Sequence, residues 1–436
     1  MRRVLFIFLS VSSAACSVIA GVDWDRVQAS SGGTLPDGAP IPPGDDGSSG
    51  NVPSGQCPSD QVECLKASGV ACCARNDDVG VATFIAAAAK NTCAVTSTGH
   101  VRCWGSNATS QLGRGQQPSM PKSNKPQTVF RIPGGATTVT VGSTHVCAIV
   151  DSLLACWGGN NAGQLGTGGT DLSPLPVVVP TPAAPDSVGA GDQATCASLG
   201  GTGYCWGDNG AYEAGNETDK RVLTPKLVTG LGPVAKGGRM ITAGGEFSCA
   251  AATAGLACWG NNSSNRLGTN AVSNIGKATA VLNGSGVAAD IMLGDSHACA
   301  IRGGALLCWG SNLFGQLGDD SGTSFPQSTG ALTPPGMDAG ISSVCAGFSH
   351  TCAIKNGGVW CTGQNSQGQT ASTTGDTKVF VQVKSVTSAT QLACGPYHTC
   401  ALLQGGAIKC WGSNDNGQLG DGTDDTSAAS PRDVAW

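Results

Sequence analysis

From residue 81 to the C-terminus, short apolar runs alternate with glycine-centred turns. In CAIRGGALLCWG (299–310) one apolar run meets Gly303-Gly304 and a second begins at once. Two such runs around a Gly-Gly pair predict a β-hairpin, because glycine enters a positive-φ turn without steric cost. The segment leading into each hairpin, as in VCAGFSHTC (344–352), predicts a further strand. A Pro-led apolar stretch after a variable loop, such as PLPVVV (174–179), predicts a fourth.

The pattern repeats seven times: CAVTSTGHVRCWGSN from Cys93, CAIVDSLLACWGGN from Cys147, CASLGGTGYCWGDN from Cys196, CAAATAGLACWGNN from Cys249, CAIRGGALLCWGSN from Cys299, CAIKNGGVWCTGQN from Cys352 and CALLQGGAIKCWGSN from Cys400. First cysteines are 54, 49, 53, 50, 53 and 48 positions apart. Four short strands per ~50 residues is the size of a propeller blade. Four copies continue into GQLG or a near form, at 110–113, 163–166, 315–318 and 417–420.

Composition agrees. Of 436 residues 40% are hydrophobic, which excludes a disordered chain, and 66 are Gly, which disfavours long helices. The net charge is -5 and no large basic block occurs, so nothing replaces the counterions of a nucleic acid.

Residues 1–16, MRRVLFIFLSVSSAAC, place two arginines before a short apolar run and small residues. The run is far below the ~20 residues of a membrane span. The segment resembles a bacterial lipoprotein signal with Cys16 as the lipidated residue, although Ser13 stands where Leu is usual. Cleavage after Ala20 is the alternative. Both imply export, to an outer-membrane or cell-surface lipoprotein or to a secreted protein. Residues 17–56 read as a disordered Gly, Pro, Ser and Asp-rich tether with a reach of about 30–35 Å. Residues 57–80 form a small Cys-rich segment, and 81–436 the repeats.

The chain has 21 cysteines. In an exported protein that count reads as disulfides. Paired cysteines nine or ten positions apart flank each hairpin turn and face one another across it. The pairs expected are Cys93–Cys103, Cys147–Cys156, Cys196–Cys205, Cys249–Cys258, Cys299–Cys308, Cys352–Cys361 and Cys400–Cys410. Cys345 and Cys394 precede units six and seven and are placed to bridge adjacent blades. Cys57, Cys64, Cys72 and Cys73 read as a two-bridge knot of open connectivity, or as a metal site. Evenly repeated pairs lack the paired C-x-x-C knuckles of zinc sites, so no metal is assigned.

The repeat resembles the regulator of chromosome condensation repeat family. The resemblance rests on GFSHTCAIKNGGVW (347–360) and GPYHTCALLQGGAIKCWGSNDNGQLG (395–420) and spans roughly 81–436. It implies an all-β fold, a closed seven-bladed β-propeller whose terminal segments complete one blade, with PRDVAW (431–436) as the closing strand. Here each unit adds two cysteines, and Thr362 replaces the usual Trp.

His145, His297, His350 and His398 recur two residues before a first cysteine, and Trp104, Trp157, Trp206, Trp259, Trp309 and Trp411 follow a second one. Recurrence at one repeat position scatters a residue around a ring, whereas a catalytic site gathers unlike residues at one spot. Both sets therefore read as structural, the histidines hydrogen-bonding across blades and the tryptophans packing between them. His100, in a hairpin turn, reads as solvated, as do the acidic loops GDDSG (318–322) and GDGTDD (420–425). No nucleophile elbow, zinc-protease, dinucleotide or P-loop motif occurs in the sequence.

The function expected is non-catalytic binding by a monomer, without cofactor, of a protein or surface glycan on one propeller face. The family includes an exported β-lactamase inhibitor, so the resemblance implies that such a face can hold a protein. A secreted propeller hydrolase or lyase is the alternative. A nucleotide-exchange role like that of the family's namesake fits poorly with export and an acidic balance.

Overall fold

A computed structural model describes residue 57, residues 61–67 and 69–74, and residues 80–436 apart from 116–119, 270, 272, 282–287 and 322–330. Cys16, the signal and the 17–56 tether lie outside the described residues.

Seven antiparallel sheets follow one another along the chain. Blade 1 comprises Ala82–Ala88, Asn91–Thr96, Val101–Ser106 and Lys122–Thr128, and blade 2 comprises Ala136–Val141, His145–Val150, Leu153–Gly158 and Ser173–Val178. Blade 3 runs through Pro185–Ala190, Ala194–Leu199, Thr202–Asp208 and Arg221–Leu227, and blade 4 through Ile241–Ala243, Phe247–Ala252, Gly255–Gly260 and Ile275–Ala280. Blade 5 has Asp290–Leu293, His297–Arg302 and Ala305–Gly310. Its fourth strand shrinks to a bridge, where Leu332 exchanges two 2.8 Å hydrogen bonds with Cys308. Blade 6 is Ile341–Ala346, His350–Lys355, Gly358–Gly363 and Thr377–Gln382, and blade 7 is Ala389–Cys394, His398–Leu403, Ile408–Ser413 and Ser427–Asp433.

Within each sheet the strands pair in chain order. The first strands of all seven blades line the ring axis, and the fourth strands lie outside. In five blades the hairpin between second and third strands turns through two positive φ values. Gly303 and Gly304 supply them in blade 5, at 60° and 80°, and Asp151 and Ser152 in blade 2, at 48° and 64°.

Neighbouring blades are joined by one repeated clamp. In six blades the indole of the Trp that follows the second cysteine lies under the GQLG-type turn of the preceding blade and donates to a carbonyl there. Trp157 reaches Gln111 O at 2.8 Å, Trp206 reaches Gln164 O at 2.9 Å and Trp411 reaches Gln369 O at 2.9 Å. The final Gly of the turn makes room, since a Cβ on Gly166 would stand 2.6 Å from Trp206 Nε1. In blade 6 Thr362 occupies the Trp position and donates to Gly315 O at 2.9 Å, while Phe380 packs under Gly318 in place of the indole. Trp206→Phe removes one donor but leaves Gln164 O with the Thr195 hydroxyl at 2.8 Å. Its expected cost is about 1–2 kcal/mol, against about 3–5 kcal/mol for Trp206→Ala, which opens a cavity. Urea unfolding midpoints of the two variants check this order.

The ring closes by the same clamp. Trp104 Nε1 and Thr92 Oγ1 of blade 1 each donate to Gln418 O of blade 7 at 2.9 Å. The C-terminal segment does supply an outer strand, Ser427–Asp433, but to its own repeat, and among the described residues no strand passes between the first and last blades. Each repeat begins at its innermost strand, so blade 1 already holds four strands of its own. Trp436 lies beyond the strand, donates to Gly80 O at 3.2 Å and carries the Arg102 guanidinium 4.7 Å over its ring.

Ahead of the blades, Gln61–Lys66 and Gly69–Ala74 form a hairpin. It docks through Leu65 N–H on Arg131 O at 3.1 Å and the Arg131–Glu63 ion pair at 2.9 Å, with Leu65 in the same apolar cluster as Ile132.

Candidate functional site

The recurring polar residues belong to the walls. The seven hairpin cysteine pairs are directly opposed, with Cα atoms 4.1–4.2 Å apart, as in the close pairs of an antiparallel ladder. Cys345–Cys394 ties the inner strands of blades 6 and 7 at a Cα separation of 5.4 Å. Cys57–Cys72 and Cys64–Cys73 staple the leading hairpin. The Sγ atoms of Cys345, Cys352 and Cys394 lie within 4.8 Å of one another, but all three are in disulfides and offer no thiolate to a metal.

His145, His297, His350 and His398 are fully buried. Each Nε2 meets a threonine of the next blade: Thr195 at 2.7 Å, Thr351 and Thr399 at 2.9 Å, and Thr92 at 3.0 Å. Each of those hydroxyls donates to a GQLG-turn carbonyl, as Thr399 does to Gln369 O at 2.8 Å. The single hydroxyl proton is thus used, so the histidine is the donor and is neutral, with its proton on Nε2. Burial pushes the imidazole pKa down to about 3 for His145 and His350 and about 4 for His297 and His398.

Two expectations are corrected. His100 is not solvated: it is 2% exposed, with Nδ1 2.9 Å from the Thr98 hydroxyl, because the turn folds back on its own strand. Asp421 is also withdrawn from water. Its side chain is 4% exposed and accepts from Arg432 at 3.0 Å, which with hydrogen bonds from Thr423 holds the carboxyl below its usual range against the cost of burial.

What remains is a cavity of about 370 Å³ on the ring axis. Its walls are apolar and come from inner strands, among them Ile85, Val139, Val188 and Ile241. Arg239, from blade 4, crosses the axis and donates to Val344 O of blade 6 at 3.0 Å and Leu392 O of blade 7 at 3.4 Å. Asp290 pairs with the same guanidinium at 2.5 Å. The group forms a neutralised bar across the well.

The mouth lies at the other end of the inner strands, on the face that also carries the GQLG turns. Two variable residues follow a fixed glycine there in blades 2 to 7, and their chemistry is divided around the ring. Asp192, Glu246 and Asp295 come from blades 3, 4 and 5. Phe348 and Tyr397 come from blades 6 and 7, with centroids 5.8 Å apart and planes at 26°. They are 41% and 38% exposed, unusual for aromatic side chains in a chain this poor in them. Burial raises the Asp192 carboxyl, and the charges of Asp295 and Glu246 add to this against the Ser143 hydrogen bond. Nearby Glu213 fills a slot that Gln fills in blades 1, 2, 5, 6 and 7, and burial raises it to about 7.

None of these mouth residues was singled out from the sequence. A signal existed: between the fixed Gly and the following buried position, the repeats agree on length and differ only in these two residues.

Models of the regulator of chromosome condensation (RCC1) repeat match residues 83–111, 341–369 and 389–418, and also 98–149 and 154–198. No curated protein matches the chain. Among solved structures, human WBSCR16 is similar at a TM-score of 0.68 and 15% identity, covering 77% of this chain and 94% of its own. Prp20p of Saccharomyces cerevisiae, which binds Gsp1p and histones, is similar at 0.65 and 19%, covering 78% and 87%. With these repeats matched in sequence and seven blades in the structure, the chain carries regulator of chromosome condensation repeats and has the fold of the solved propeller Prp20p.

Proposed function

We propose that this protein is a non-catalytic binding propeller that holds a protein partner on the face bearing the axial mouth. The observation that carries the reading is the gathering, on that one face, of the GQLG turns and of exposed, unlike side chains around a well. Everywhere else the repeat positions are buried in clamps that serve the ring. Prp20p, of the same fold, has protein partners, which favours protein over surface glycan. The family is typified by binding and exchange factors, and export, disulfides and an acidic balance speak against the exchange role.

The ten disulfides suit an oxidising, extracellular setting. The exported form we propose is a monomer anchored by a lipid on Cys16, with cleavage after Ala20 and secretion as the alternative. Intact mass of the native protein separates the two.

Crosslinking the purified protein to its native envelope tests the binding reading. The expected crosslinks fall on mouth turns and GQLG loops. Crosslinks confined to the opposite hairpins or the outer strands would sink it.

A further inference from the structure

We infer that the Cys345–Cys394 disulfide is a thiol-exchange site, reached through the axial well by a low-molecular-weight thiol that adds to Cys394. The chemistry does not depend on what the mouth holds.

Eight disulfides lie in the ring, and seven of them close a hairpin within one blade. Cys345–Cys394 instead joins two blades, over a sequence separation of 49. It also differs in access. Cys394 stands on the innermost strand of blade 7, forms part of the wall of the well and is 4% exposed. Cys345 and the fourteen hairpin cysteines are 0% exposed. Among the described residues Cys394 is the one cysteine on that wall. A well of about 370 Å³ has room for a thiol the size of cysteamine.

Access fixes the direction of attack. A thiolate in the well bonds to Cys394 Sγ, the Cys345–Cys394 bond breaks, and its electron pair leaves on Cys345 as a thiolate. The product is a mixed disulfide on Cys394. A second thiolate, attacking the small-molecule sulfur, releases Cys394 and the small molecule's own disulfide. Two thiols are thereby oxidised to one disulfide, and the cysteine pair takes up two electrons and two protons. Cys345 stays poised to reverse the first step, because the ladder pairs it with Cys352 and holds its Sγ within 4.8 Å of Cys394 Sγ.

What the bond fastens lies at the mouth. Cys345 precedes Phe348, and Cys394 precedes Tyr397, by three residues each. The bond therefore ties the two strand ends that carry the stacked pair, and Phe348 N–H donates to Pro396 O at 3.2 Å between the same two turns. The seam below has other fastenings: Leu392 N–H on Ser343 Oγ at 3.2 Å, the Arg239 guanidinium on Val344 O and Leu392 O, and the His350–Thr399 and Trp411–Gln369 bonds. Opening the disulfide loosens the two mouth turns and leaves the ring closed.

The test treats the full oxidised protein with cysteamine, without denaturant, followed by an acid quench and peptide mass mapping. The expected result is a cysteamine adduct on Cys394 and none on Cys345 or the fourteen hairpin cysteines. The leading hairpin, partly buried, reacts as well and serves as the positive control. A thiol carried on a long polyethylene glycol cannot enter the well, so it should modify the leading hairpin but react with Cys394 at least about tenfold more slowly than cysteamine does. Hydrogen exchange on the adduct should quicken at least about fivefold at 347–350 and 395–398, while the second strands of blades 2 and 3 stay protected. No adduct on Cys394 once the leading hairpin is fully modified, or adducts spread equally over the hairpin cysteines, overturns the inference. Equal reaction with the polymer thiol overturns the route through the well, and an adduct that leaves exchange unchanged at both turns overturns the link to the mouth.

Discussion

Acidification should unfold the propeller steeply, with stability falling by about 4 kcal/mol per pH unit between pH 6.5 and 4.5. The cause is the four clamp histidines. In the unfolded chain each takes a proton near pH 6.5, but in the fold their pKa values lie at about 3 to 4. Above pH 6.5 both states hold them neutral and stability is unaffected. As pH falls, only the unfolded state binds protons, so each histidine erodes about 1.4 kcal/mol per unit until the folded pKa is reached. Glu213 acts in the opposite sense. Its carboxyl is raised to about 7 in the fold, so it takes a proton there first and offsets one of the four. The net uptake on unfolding is about three protons, and over two pH units the loss is about 8 kcal/mol, comparable with the whole stability of many domains. Urea titrations from pH 7 to pH 4.5 read the slope directly. His350→Gln keeps a donor toward Thr399 without a titrating ring and should lower the uptake by about one proton. A slope of one proton or fewer in the wild type would show that the histidines are not buried neutral.

Why the blades were legible and the site was not follows from what repetition constrains. Cys, Trp and the GQLG glycines recur because every blade must solve the same packing problem, and seven copies of Cys-x8/9-Cys read as hairpins with little ambiguity. Even there, solutions local to one blade escaped. The Thr362–Phe380 replacement for an indole needs a residue from the next strand, and the Leu332 bridge in blade 5 leaves no apolar run to find. The mouth depends on a different relation. Asp192, Gly245 and Asp295 are about fifty residues apart in turn and meet only because the ring brings successive turns side by side. Each alone reads as a turn residue. Arg239 was equally silent, since its carbonyl partners lie two and three blades away. His100 and Asp421 were misread for the same reason: polar residues in turns suggest water until the local hydrogen bonds are seen.

Reduction in denaturant should leave a chain that does not refold. Each blade hairpin is closed over nine or ten residues, and seven such bridges at about 2.5 kcal/mol each contribute about 17 kcal/mol on the chain-entropy model. That exceeds the ~5–15 kcal/mol net stability usual for folded proteins. The need for it is visible in the blade interiors. The residue after each first cysteine is alanine in all seven units, Ala94, Ala148, Ala197, Ala250, Ala300, Ala353 and Ala401, each fully buried. A second strand faced with alanine and cysteine buries little apolar area, so cross-links stand where other cores place leucine or phenylalanine. In the folded protein the same burial protects the bonds, since the blade cysteines are 0% exposed and an attacking thiolate cannot reach them. Cys57, Cys72 and Cys73 in the leading hairpin are only partly buried. Dithiothreitol without denaturant should therefore open the leading hairpin first, and alkylation followed by mass spectrometry should label Cys72 and Cys73 while the fourteen blade thiols stay masked. Fully reduced, alkylated protein should show no cooperative urea transition at pH 7. If it unfolds as cooperatively as the oxidised form, the alanine-lined blades hold themselves together and the bridges serve another end; if blade cysteines label as fast as Cys72, the interiors open far more readily than their packing implies.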